Sequence, residues 1–192
     1  MRVDEVIATH GNTDFDAFAA MLAARHLYPN ALVSLSGSLN RNVREFYRLH
    51  AEALEFVVDA TRLERQAIRR LIVVETVHAG RLGELESVAL DPAVDKVVFD
   101  HHGGEMPDWA APENVILSQD GALTTTLVGV LAERELEVTP VEATVFALGI
   151  HEDTGSLTYP SATRRDAEAL GWCLRHGARQ ELVARFLHTP LT

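Results

Sequence analysis

Three apolar residues run straight into Asp100, His101 and His102 in the stretch VVFDHHGG (residues 97–104), and two glycines follow. Aspartate and histidine at the end of an apolar run are groups that ligate cations or move protons. Left buried without partners they cost on the order of 1–3 kcal/mol each, and more when charged. Similar groups recur along the chain. HGNTDFD (10–16) supplies His10, Asp14 and Asp16, LIVVET (71–76) leads to Glu75, and GIHEDTGS (149–156) carries His151, Glu152 and Asp153. Each motif alone has a plain explanation: Asp14 and Asp16 read as helix-capping acids, His10 as a turn histidine, Asp153 as a turn residue. Together they form a mixed histidine–carboxylate set. Such a set suits Mn²⁺, Co²⁺, Fe²⁺ or Zn²⁺ better than the all-oxygen shells of Ca²⁺ and Mg²⁺. This many ligands fits two ions better than one, and paired ions about 3.5–4 Å apart activate water and clamp phosphoryl groups. A structural zinc site leans on several cysteines, and here Cys173 stands alone.

These residues need a scaffold that brings them together. Apolar runs at 4–9, 31–36, 70–76, 95–100 and 114–118 read as strands. Segments of helical period lie between and after them, at 14–27, 42–56, 123–135, 140–155, 164–177 and 179–188. Thr139 and Pro140 make a helix start, as N-cap and first helical residue, and Gly177 makes a helix end. Strands apolar throughout and separated by helices imply a parallel sheet covered on both faces. The expectation is one α/β domain over residues 1–192, a parallel five-stranded sheet flanked by helices with a helical C-terminal half. Open parallel sheets bind ligands beyond the carboxyl ends of their strands, and that is where His10, Glu75, Asp100, His101 and His102 fall. DGALTTTL (120–127) opens a helix that could offer backbone N–H groups to a phosphate, or simply be capped.

Composition narrows the partners. The 192 residues carry a formal net charge of −11, with 47% hydrophobic and 23% charged residues. That balance fits a soluble globular domain that attracts cations, and it argues against strong binding of long nucleic acid. No apolar run reaches the roughly 18 residues of a membrane span, and a single cysteine fits a reducing, cytoplasmic setting.

HGNTDFDA, VVET, DHH and EDTGS, in this order, resemble the four motifs of the DHH phosphoesterase family, which includes RecJ-like exonucleases and family II inorganic pyrophosphatases. GSLNRNVREF (37–46), TPVEATVFALGIHEDTGSLTYPSAT (139–163) and RDAEALGWCL (165–174) extend the likeness. They resemble most the DHH domain that opens bacterial CBS-domain tRNA nucleotidyltransferase-like proteins. The resemblance implies a hydrolase with two divalent ions, Mn²⁺ first and Mg²⁺ or Co²⁺ as neighbours. It implies His10 and Asp14 on one ion, Asp16, His101 and Asp153 on the other, and residue 75 bridging both. His102 would hydrogen-bond the substrate phosphate, and Asp100 would orient a ligand histidine.

The implied substrates are small nucleotides or short oligonucleotides cut at phosphodiester or phosphomonoester bonds. A weakly active metal- and nucleotide-binding regulatory module of a larger tRNA nucleotidyltransferase-like protein is a second reading, and an inorganic pyrophosphatase a third. Two departures bear on the choice. The family pattern has aspartate where this chain has Glu75, one methylene longer, and a ligand misplaced by about 1 Å can cost a hundredfold in rate. The family's C-terminal substrate-binding domain is also expected to be missing from this chain, with further domains of a larger polypeptide or a homodimer as possible partners.

Overall fold

The computed structural model describes residues 1–54, 56–104 and 106–187. Six strands form one sheet in the order β3-β2-β1-β4-β5-β6. In chain order they are β1 (Glu5–Ala8), β2 (Leu32–Leu35), β3 (Val57–Asp59), β4 (Arg70–Val74), β5 (Asp95–Asp100) and β6 (Val115–Leu117). Every neighbouring pair is parallel. The helices are α1 (Phe15–Leu27), α2 (Arg41–Leu49), α3 (Glu86–Ala89), α4 (Leu123–Glu133), α5 (Pro140–Asp153), α6 (Arg164–Arg175) and α7 (Gln180–Leu187).

Alternation along the strands sends neighbouring residues to opposite faces. Ile7, Ile72 and Val74 join the core under α1, α4 and α5. Val6, Ala8, Leu71 and Val73 join a second core with Leu82, Leu85 and Val88. The first core is the larger and the second is closed by short elements, a 3₁₀ segment (Ala79–Leu85) and α3. Helix α1 is buried on all sides from Ala17 to Ala24, as a helix rich in alanine on every face must be. Gly149 of α5 lets the two helices touch, since a Cβ there would lie 3.0 Å from the Ala19 Cβ, the Asp16 Cα and the Phe15 carbonyl oxygen.

The parallel α/β architecture and the helical C-terminal half match the expectation, with two corrections. The sheet has six strands, not five. Residues 42–56 are not one helix: α2 ends at Leu49, a 3₁₀ turn covers Ala51–Leu54, and edge strand β3 follows. At three residues β3 is too short to show a period. Thr139 caps α5 with a full capping box to Glu142, and Gly177 takes φ 86° past the end of α6. His188, the last residue of the helical stretch read at 179–188, lies outside the described residues.

The strand order reverses between β1 and β4, because β2 and β3 lie to one side of β1 while β4, β5 and β6 lie to the other. A crevice opens at such a reversal in open α/β sheets. The two strand ends there are tied by the Thr9 hydroxyl, which donates to the Val74 carbonyl at 2.8 Å.

Candidate metal centre

Each motif residue owes its place to a strand end or a helix end. His10 follows β1 and is buried, its Nδ1 2.8 Å from the Gly11 carbonyl oxygen. Asp14 is the N-cap of α1 and accepts the Ala17 N–H at 3.0 Å. Asp16, in the first turn of α1, is fully buried, and its two oxygens accept the N–H groups of Leu123 and Thr124 at 2.7 and 3.0 Å. The start of α4 is thus capped from a residue far away in sequence. The Gly121 N–H goes to Asp166 at 3.1 Å. These N–H groups of DGALTTTL serve capping, and the phosphate-binding option for that segment falls away.

Glu75 follows β4, is 2% exposed, and sits at φ 64°. That left-handed conformation is uncommon for a long side chain and recurs at functional sites. Asp100 ends β5. Its Oδ1 accepts the N–H groups of His101 and His102 at 2.7 and 3.0 Å and contacts His102 Nδ1 at 2.8 Å. His101 Nδ1 is 3.1 Å from the Asp120 carbonyl oxygen. A carbonyl only accepts, so Nδ1 carries the hydrogen in that pair, and Nε2 turns to the carboxylates. It lies 3.3 Å from Asp153, 3.5 Å from Glu75 and 3.6 Å from Asp16. At those lengths the contacts are mainly electrostatic rather than good hydrogen bonds.

Among the described residues, Glu75, His101, His102 and Asp153 each offer a ligand atom within 4.8 Å of the others. Glu75 Oε1 and His101 Nε2 are buried with no hydrogen-bond partner. Buried polar groups are normally paired; two orphaned atoms of ligand type facing each other suit a cation between them. The electrostatics agree. Burial, then the charge of Asp16, raises Glu75 well above the usual carboxylate range. Burial, with Asp16 and Asp14 adding to it against His101, raises Asp153. Burial alone would lower His101, but Asp153, Glu75 and Asp16 outweigh it and push its pKa up to about 12. A proton on His101 thus balances the carboxylates where a metal ion would do so more fully.

The hydrogen bond with Asp100, against burial, raises His102. Burial would raise Asp100, but the His102 ring and the two N–H donors hold it below its ordinary value. Glu152 rises to about 7, through burial opposed by the Phe15 N–H and helped by Asp14, Asp153 and Asp16.

The structure therefore gathers Glu75, His101 and Asp153, with Asp16 beside them. It brings His102 into the same group. His10 and Asp14 stand at the adjoining strand and helix ends, outside the four-residue group. Three contributions escaped the sequence: Asp16 capping α4, the Asp120 carbonyl orienting His101, and Glu152 accepting the Phe15 N–H at 2.6 Å. The first joins residues more than a hundred positions apart and the second is a backbone group, so no local pattern marks either. The carboxyl of Glu152, next to Asp153 on α5, was the one visible sign of the third.

The profile of the DHH family, N-terminal domain, matches residues 5–150. The chain belongs to the DHH family. This DHH domain is 42% identical over 192 residues to an A-adding tRNA nucleotidyltransferase of Geobacter sulfurreducens, covering 98% of this chain and 21% of that protein. It is 27% identical over 175 residues to an A-adding tRNA nucleotidyltransferase of Aquifex aeolicus, covering 91% and 20%. The DHH domain thus spans about a fifth of the length of these relatives. Two solved structures share the fold. An exopolyphosphatase-related protein of Bacteroides fragilis superposes with a TM-score of 0.76 at 17% identity, over 98% of this chain and 57% of that one. A candidate family II inorganic pyrophosphatase of Methanococcus jannaschii gives 0.71 at 14%, over 95% and 60%.

Proposed function

We propose that this DHH domain hydrolyses phosphoester bonds of small nucleotides or short oligonucleotides with two divalent cations, Mn²⁺ first and Mg²⁺ or Co²⁺ as neighbours. The observation that carries the reading is the pair of orphaned buried atoms, Glu75 Oε1 and His101 Nε2, inside a ring of carboxylates at the strand-order reversal. Asp16, His101 and Asp153 would hold one ion, His10 and Asp14 the other, with Glu75 shared. Bound there, such ions supply an acidified water and positive charge for the phosphoryl oxygens.

The chain's own groups do the rest. Asp100 fixes His102 through Nδ1, leaving Nε2 for a phosphate oxygen, and the raised pKa of His102 favours the donor form. The Asp120 carbonyl keeps the His101 Nε2 lone pair turned to the cluster. Glu152 and Asp16 lock α5, α1 and α4 together so that Asp153 and Asp16 keep their spacing.

A second reading has its own support. The relatives are A-adding tRNA nucleotidyltransferases of which this chain spans a fifth, and Glu75 stands where the family pattern has aspartate. In that reading the domain binds metal and nucleotide within a larger polypeptide and turns over slowly. The discriminating experiment is phosphate or nucleotide release from dinucleotides, a cyclic dinucleotide, a 3′,5′-bisphosphate nucleotide and pyrophosphate, with Mn²⁺ titrated and chelator as control. Metal-dependent turnover lost in His101→Ala upholds the hydrolase; tight metal binding without turnover selects the module. Preference for pyrophosphate over every nucleotide would overturn the substrate class.

A further inference from the structure

A cavity of about 440 Å³ is lined by Val77 and His78, which follow Glu75 in the chain, and by Leu90, Met106, Asp108 and Trp109, among others. Ligand cavities run from roughly 300 to 1,000 Å³ and combine apolar walls with a few polar groups. Here the walls are aliphatic, thioether and indole, while the polar side chains are one imidazole and one carboxylate. No lysine or arginine is among the described lining residues. A phosphate finds no counter-charge there, whereas a flat, uncharged ring bearing N–H donors does find partners.

Trp109 is fixed for such a role. Its indole N–H donates to the Val77 carbonyl at 2.9 Å, two residues past Glu75. The ring's one polar demand is met by the backbone, and the half-buried ring packs on the second core while also lining the cavity. Met106 and Leu90 remain 46% and 54% exposed, large apolar side chains left in water beside it. A thioether and an indole together favour an aromatic guest. Asp108 adds a carboxylate, which accepts from an exocyclic amine.

We propose that this cavity is a nucleobase subsite for adenine, cytosine or guanine, each of which carries an amino group. The phosphate of the same nucleotide then sits at the rim by Glu75 and His102, a placement that rests on the phosphoester reading above. The base specificity itself rests on the cavity alone.

The test starts with nucleosides and no metal, so it is independent of hydrolysis. In a Trp172→Phe background, Trp109 is the one tryptophan and reports directly by fluorescence; calorimetry on the unsubstituted chain gives the same reading without that change. Adenosine and cytidine bind saturably, uridine binds more weakly, and ribose 5-phosphate leaves the signal unchanged. Asp108→Ala weakens adenosine roughly tenfold, the loss expected for a hydrogen bond to a charged acceptor. It also raises KM for an adenine dinucleotide by about the same factor relative to that for pyrophosphate.

The subsite is overturned if adenosine gives no saturable change, if ribose 5-phosphate binds as well, or if Asp108→Ala binds adenosine as the parent does. Adenosine binding in a protein that turns nothing over upholds the subsite and rejects the hydrolase. Dinucleotide turnover with KM untouched by Asp108→Ala or Met106→Ala does the reverse.

Discussion

Glu75 occupies a backbone conformation that suits a shorter acid better. At φ 64°, aspartate and asparagine are several-fold enriched over other non-glycine residues, and the family pattern has aspartate there. Glu75→Asp is therefore expected to leave the thermal midpoint unchanged or raise it, and to raise kcat at saturating Mn²⁺ about tenfold or more. Kinetics on the purified pair check this; a fall in kcat would mean that the surrounding strand ends are built for glutamate. Asp100 works through His102, so Asp100→Ala should cost roughly 10–100-fold in kcat. Its effect on metal affinity should be smaller than that of His101→Ala, a difference that Mn²⁺ titration resolves. The types of these residues were legible in the sequence because the side chains stand in order at strand ends. Their partners were not, because the Asp120 carbonyl and the Leu123 and Thr124 N–H groups are backbone atoms brought in by distant segments.

At the level of elements, the site depends on α1 and α5 staying close. Gly149→Ala places a methyl 3.0 Å from the Asp16 Cα and the Phe15 carbonyl, atoms that cannot move without moving the site. It should cost about 1–3 kcal/mol of stability and lower Mn²⁺ affinity with it. Chemical denaturation and metal titration on the same sample read both effects. The other end of the helix pair is held by His26 and Glu142, 2.8 Å apart. Burial would raise the Glu142 pKa, yet the His26 ring and the Thr139 donors outweigh it and hold it below its ordinary 4.5. A carboxylate depressed in the folded state adds stability above its unfolded pKa, and that contribution fades as pH falls through the folded value.

The stability advantage of the parent over Glu142→Gln should accordingly be full near neutral pH and shrink as pH falls below the ordinary 4.5 through the lower folded value. An advantage that grows on acidification would refute the assignment. The long helices were readable from period and caps. Strand β3 was not, since Val57–Asp59 follows directly on helical segments with no glycine or proline to announce it.

On the scale of the whole molecule, the strand order places the ends of β1 and β4 side by side, and the motif residues follow from that topology. The parallel sheet was legible because its central strands are apolar on both faces, and the reversal point was not, because strand order is not written in any local stretch. Charge is consistent with the site: a net charge of −11 draws cations. No helix among the described residues is long and apolar enough to cross a membrane. Cys173 is buried, and burial pushes its thiol up to about 12, which leaves it unreactive.

The central claim is a two-cation centre at the rim, and Mn²⁺ binding to metal-stripped protein tests it most directly. Calorimetry should find two ions per chain, with affinity that falls as pH drops because the ligands must lose protons, and His101→Ala should remove at least one ion. Binding that is absent, or that keeps its stoichiometry and affinity in His101→Ala, would contradict the account.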